Sequence, residues 1–260
     1  MSEKKPKFGL RLRFTAYVRE TFKVSRTLVK TFISSYIIQK MTAAIKSQLL
    51  DMPDLPLVIQ DLQKSLDDER EKRACFYEWV TEDIKAEFIN GEIIEHSPVA
   101  GQHWESVGWL HTLMNTHVGQ ADSGRVASEK AMISLTRNDY EPDIVFWKKE
   151  KSDQFLPEQT HYPAPDLVVE VLSKGTASRD RVTKFNDYAA HGVSEYWIVH
   201  PKKKTIEQYI LTDHRMYELL KKVGLKDFIK SEVIEYFEIP VAAIFEQKAN
   251  LDTLKAILFK

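Results

Sequence analysis

Glu170 stands in a run of residues that otherwise reads as a fully buried strand. From Leu167 to Leu172 five of six side chains are apolar and three are Val, the composition of a strand covered on both faces. An ionised carboxylate there is strongly disfavoured unless a cation or a charged partner compensates it. Upstream, Glu141-Pro142-Asp143-Ile144-Val145-Phe146-Trp147 repeats the arrangement, with an acid at the head of a second apolar strand. Two acids on adjacent buried strands suit a hard divalent cation. Metal-dependent phosphodiester chemistry is the function this pairing points to first.

Geometry selects among the acids. Strand residues rise ~3.3 Å each, so Asp166 and Glu170, on one face of one strand, lie ~13 Å apart and cannot share an ion. Asp143, on a separate strand, can be brought beside Glu170 by sheet pairing. Asp166 is expected to bond backbone at the strand start. The bland alternative for Asp143 and Glu170 is a structural salt-bridge network. Asp180, Lys184 and Tyr188 are spaced i, i+4, i+8 on a predicted helix over 178–191 and share a face. If that helix packs beside the acids, the Lys184 ammonium can hold an attacking water or a phosphate oxygen; otherwise Asp180 and Lys184 form a surface pair. Glu87 is either a third acidic ligand or a solvated hairpin carboxylate. His103 either contacts a phosphate or is a capping or core histidine.

Three zones organise the chain. Over about 12–50, Val18, Phe22, Val29, Ile33 and Tyr36 recur at helical spacing beside a stripe of Arg19, Lys23, Arg26 and Lys30, which predicts a basic amphipathic helix. Pro53 and Pro56 break it, and a charge-rich helix follows from about Leu57 to Val80. The third zone is mixed α/β. Its elements are a hairpin turning at Asn90-Gly91 and a helix over 101–118 with Trp104, Val107, Leu110 and Met114 on one face. Strands follow at 125–135, 143–148 and 166–173. After the 178–191 helix, with Ser178 as N-cap, a second hairpin turns at Pro201-Lys202-Lys203-Lys204. Short strands and a closing helix from about Pro240 complete the chain.

Charge is divided unevenly. Residues 1–50 hold eleven Lys and Arg against two Asp and Glu, a net +9, while the remainder holds 26 against 36, a net −10. Such an arm suits an anionic partner: nucleic acid, a membrane surface or an acidic protein. Cys75 is the single cysteine, so no internal disulfide forms and a reducing, cytoplasmic compartment is expected. No run approaches the ~20 apolar residues that span a bilayer, and no secretory signal is expected, although the basic start also resembles an organelle transit peptide. A phosphate-cradling Gly-rich loop, a Gly-x-Ser-x-Gly elbow and zinc-ligand spacing are all missing from the sequence.

The chain resembles the Uma2 family of the PD-(D/E)XK nuclease superfamily over about residues 76–246. The resemblance runs through Glu87-Phe88-Ile89-Asn90-Gly91-Glu92-Ile93, Ser97-Pro98 with His103, Pro142-Asp143, and Pro165-Asp166 to Ser173. It continues through Asp180, Lys184, Tyr188 and Gly192-Val193-Ser194-Glu195-Tyr196-Trp197. It implies a restriction-endonuclease-like fold, a central mixed sheet flanked by helices, over residues 71–260; the basic helical extension over 1–70 is a departure, since the usual, shorter family member lacks it. It implies that Asp143 and Glu170 bind Mg²⁺, or Mn²⁺ in its place, and that the substrate is nucleic acid, DNA foremost. The superfamily's lysine normally lies two residues after the second acid, where this chain has Leu172; the family is thought to supply it from the following helix, which matches Lys184. Many nucleases of this fold cut as homodimers. The competing reading is a nuclease-fold module without catalysis, which binds nucleic acid or a protein through its basic arm.

Overall fold

The computed structural model describes residues 44–81 and 83–259. The chain divides between Asp61 and Leu62 into two units. Of the first, residues 44–50 are helical and residues 55–61 open a long helix, α1 (Leu55–Trp79). The basic helix expected over 12–50 lies almost wholly outside the described residues.

The second unit continues with β1 (Ala86–Ile89), β2 (Glu92–Glu95), α2 (Gly101–Ala121), β3 (Gly124–Ser128), β4 (Met132–Ser134), β5 (Asp139–Tyr140) and β6 (Ile144–Lys148). Next come α3 (Lys149–Ser152), β7 (His161–Tyr162), β8 (Leu167–Val171), α4 (Ala177–Arg181), α5 (Thr183–Ala190), β9 (Glu195–His200) and β10 (Thr205–Leu211). The unit closes with β11 (Tyr217–Gly224), β12 (Phe228–Lys230), β13 (Glu238–Pro240) and α6 (Gln247–Leu258). A six-stranded sheet in the order β11-β10-β9-β8-β6-β3 is antiparallel throughout except for the parallel pair β8 and β9. A five-stranded sheet has the order β2-β1-β5-β4-β7.

Every residue of β8 is buried, because the sheet is covered on both faces. On one face Leu167, Val169 and Val171 gather with Val107, Leu110, Met114 and Val118 of α2. On the other Val168 joins Tyr188 of α5, Trp147, Tyr196, and Ile133 and Tyr140 of the smaller sheet. Strand alternation directs Glu170 to this second face. The β1–β2 hairpin turns at Asn90 (φ 51°) and Gly91 (φ 83°), the pair of left-handed residues that a two-residue turn of this hand requires.

Three expectations are corrected. The buried stripe of α2 includes His103, Ser106 and Val107, while Trp104 is exposed; the first turn of α2 directs His103, not Trp104, inward. The stretch 125–135 is two strands, interrupted where Glu129 takes φ 61°. The helix over 178–191 is two helices broken at Val182 (φ −127°, ψ −66°), and Thr176 rather than Ser178 holds the N-cap position. The Ser173 hydroxyl accepts the Thr176 N–H at 3.2 Å, and no side chain caps the helix itself.

Helix α1 passes without a break through residue 70, and within the second unit its Arg73 ties it to the smaller sheet. Its guanidinium meets both oxygens of the fully buried Asp139, at 2.6 and 2.8 Å, and donates to the carbonyls of Leu135, Thr136 and Asn138. Glu69 accepts from Arg137 at 2.7 Å. Arg73→Ala strands a buried carboxylate, which is expected to cost about 3 kcal/mol in urea denaturation. A chain beginning at Cys75, which lacks Arg73 and also Glu69, is expected to lose at least that amount.

Candidate active site

The antiparallel register that pairs Ile144 with Val169 places Asp143 beside Glu170 across β6 and β8. The main-chain N–H of Val171 donates to Asp143 Oδ2 at 2.7 Å, and His103 Nε2 approaches the same oxygen at 3.4 Å. Among the described residues no hydrogen bond occupies Asp143 Oδ1. The two residues are 8% and 3% exposed. They share the wall of a pocket of about 280 Å³, which His96, His103, Glu141 and Lys184 also line.

Helix α5 brings Lys184 over this pair. Its Nζ lies 2.7 Å from Glu87 Oε1, 3.0 Å from Glu170 Oε1 and 3.7 Å from Asp180 Oδ1, and 5.7 Å from the centre of the Tyr140 ring. The side chain is 2% exposed. Burial alone would lower the pKa of this ammonium, but Glu170, Glu87 and Asp180 raise it well above the ordinary lysine value. These contacts favour its charged form. Glu170 Oε2, like Asp143 Oδ1, makes no hydrogen bond among the described residues.

One ammonium cannot neutralise three carboxylates. Glu87 receives the larger share: it accepts the Glu141 N–H at 2.9 Å, and its Oε2 faces His96 Nε2 at 3.3 Å without hydrogen-bond geometry. Burial would raise its pKa, yet Lys184 and His96 hold it down to about 2. Glu170 is left short. Burial pushes its carboxyl well above the usual range, Lys184 opposes this, and Asp180, Asp143 and Glu87 add to it. Asp180 is also raised, by burial first; Thr176 approaches it, but neither oxygen closes a hydrogen bond of ordinary geometry.

Burial raises Glu141 to about 7, against the pull of Lys130 and Lys85, and its Oε2 has no hydrogen-bond partner. A raised folded-state pKa means that stability is full below about pH 4.5 and falls as pH rises through about 7. Glu141→Gln, neutral at every pH, is therefore expected to match the wild type near pH 4. Above about pH 8 it should exceed it by roughly 1–2 kcal/mol, a figure reduced from the full shift because solvated Lys130 and Lys85 screen the group. Thermal melts in EDTA at both pH values check this.

All the residues singled out in the sequence meet here: Asp143, Glu170, Lys184, Glu87 and His103. Glu87 is fully buried, not a solvated hairpin acid, and Asp180 with Lys184 is a buried pair, not a surface one. Asp166 serves the strand start as expected, accepting from the Lys148 N–H at 2.8 Å and pairing with Lys151 at 2.9 Å. Sequence reasoning did not single out His96 or Glu141. Glu141 lay in the Glu-Pro-Asp triplet, and its position two residues before Asp143 was the available signal. Among the described residues no three His, Cys, Asp or Glu side chains form a complete metal site. Two free oxygens on adjacent acids, amid surplus negative charge, do fit an ion that keeps water or substrate in its remaining positions, as Mg²⁺ does.

A central mixed sheet flanked by helices, with acids grouped on the face of its middle strands, defines a protein of restriction-endonuclease-like fold. The chain belongs to the Uma2 family, whose model, described as "Putative restriction endonuclease", matches residues 52–242. The structure is similar to the crystal structure of a "putative nuclease belonging to DUF820" from Anabaena variabilis. The TM-score is 0.57 and the identity 16%, over 69% of this chain and 96% of that one. A slighter likeness, TM-score 0.32 at 12% identity, links 63% of the chain to 18% of the type IIG restriction endonuclease BpuSI. No curated protein matches the sequence significantly. No described helix is long and apolar enough to cross a membrane.

Proposed function

We propose that the protein is a divalent-metal-dependent endonuclease that hydrolyses phosphodiester bonds of nucleic acid, DNA foremost. The observation that carries this is the pair Asp143 and Glu170, each with one oxygen engaged and one free, on the wall of a single pocket. These two residues would hold Mg²⁺, or Mn²⁺ in its place. The ion, when bound, supplies positive charge to the phosphate and acidity to a water. The chain does the rest. The Val171 N–H and His103 fix Asp143 by Oδ2 and keep Oδ1 available. Lys184, held by Glu87, sets its charge 3.0 Å from Glu170, where it orients the attacking water and offsets charge developing on the phosphate. Asp180 and Glu87 keep that ammonium charged.

The test is nicking of supercoiled plasmid in Mg²⁺, Mn²⁺ and EDTA by the wild type and Asp143→Asn. Metal-dependent nicking by the wild type, reduced about 100-fold or more in the variant, is the expected result. Equal cleavage by both proteins overturns the assignment. A second reading keeps the fold without the chemistry, and Leu172 at the superfamily's usual lysine position favours it. No cleavage by either protein, with DNA binding retained through the basic arm, would establish that alternative.

A further inference from the structure

A larger cleft, of about 630 Å³, adjoins the candidate active site. Ser97, Pro98, Val99, His103, Ser173 and Thr176 line both cavities, so the cleft leads into the pocket that holds Asp143 and Glu170. Its other walls present Lys174, Arg179 and Lys202, with Glu95 as the single lining carboxylate. Arg179 Nε is buried without a hydrogen-bond partner, a donor that folding has stripped of water and left unsatisfied. The same wall includes the apolar Leu172 and Pro201. Cations together with apolar surface match a strand that offers both phosphates and base faces.

We infer that this cleft receives the nucleotides flanking the scissile phosphate and receives them unpaired, so that the substrate class is a single strand or an unpaired site within a duplex. The inference rests on the nuclease reading above and deepens it. Depth is the first argument. Asp143 and Glu170 are 8% and 3% exposed, so a phosphate reaches them only by descending into a pocket of about 280 Å³. In a stacked duplex that descent pulls the neighbouring nucleotides out of the stack, at a cost of about a few kcal/mol that a single strand does not bear. Size is the second: a cleft of about 630 Å³ has the dimensions of a small-ligand site, room for one or two nucleotides and not for a base-paired helix. The third is chemistry. The cations meet backbone and the apolar wall meets any base face, an arrangement indifferent to sequence.

The experiment uses one oligonucleotide sequence in three forms: single strand, perfect duplex, and duplex with a short bulge. Cleavage by the full chain in Mn²⁺ is expected to be about 10-fold or more faster for the single strand and at the bulge than for the duplex. Fluorescence anisotropy in EDTA should show tighter binding of the single strand. The Lys174→Glu/Lys202→Glu variant, changed at two exposed positions where folding is not at stake, should lose that advantage, with its log–log salt slope reduced by about 1.4. Equal or faster cutting of the duplex overturns the unpaired-substrate inference and leaves the nuclease reading intact. Absence of cutting in all three forms counts against the nuclease reading, and the binding arm then decides the cleft alone: a single-strand preference that the charge reversal abolishes supports it, and equal binding of single strand and duplex overturns it.

Discussion

Glu170→Gln is expected to lose cleavage by about 100-fold or more and, in EDTA, to be more stable than the wild type. The two effects have one cause. Glu170 shares Lys184 with Glu87 and Asp180, and burial together with the neighbouring acids raises its pKa well above the ordinary value. A group raised in this way contributes full stability at low pH and loses it as pH rises. Glutamine keeps the shape and the contact to Lys184 but carries no charge to desolvate. The variant should therefore match the wild type near pH 4 and exceed it by roughly 1–3 kcal/mol at pH 8, the size of effect seen when a buried charge is replaced by a neutral group of similar volume. Paired urea titrations at the two pH values read this directly. A variant less stable than the wild type at pH 8 would show that Lys184 fully compensates Glu170, and the argument for a cation there would lose its electrostatic basis.

Lys184→Met, only 3.0 Å from Glu170, should behave in the opposite sense. Methionine fills much the same volume, but it leaves Glu87, Glu170 and Asp180, whose side chains are 0%, 4% and 1% exposed, facing one another with no cation. Breaking a buried pair by removing one partner costs about 3–5 kcal/mol, and the loss should be largest above about pH 5, where the unfolded carboxyls ionise freely. Glu87 adds to it: its pKa of about 2 reflects stability that is present above about pH 4.5 and lost as pH falls toward 2, and this depends on Lys184 first. The double variant Lys184→Met/Glu170→Gln should lose less than Lys184→Met alone, since one of the stranded charges is gone. A loss below about 1 kcal/mol for Lys184→Met would mean that the acids are already protonated and that the ammonium is not what holds them.

The centre of the site was legible because its signal is local and strong. A carboxylate in the Val-rich run from Leu167 to Leu172 has no inexpensive explanation, and the strand geometry that separated Asp166 from Glu170 also pointed to Asp143. Lys184 was legible mainly through the family resemblance, since i, i+4 spacing with Asp180 reads equally as a surface pair. The burial of Glu87 was not legible. It depends on β5, a strand of two residues too short to leave a periodic pattern, which pairs with β1 and leads into the Glu141 N–H, and on Lys184, which arrives from a distant helix. Trp104 was misplaced because hydrophobicity outweighed a histidine in assigning the inner face of α2, although His103 has the buried partner. The break at Val182 carries no proline or glycine to announce it.

Lys184 joins two sheets that are otherwise separate ladders: Glu87 belongs to the five-stranded one and Glu170 to the six-stranded one. The set of acids therefore belongs to neither ladder alone: its spacing holds only while both sheets are docked on the helix that carries Lys184.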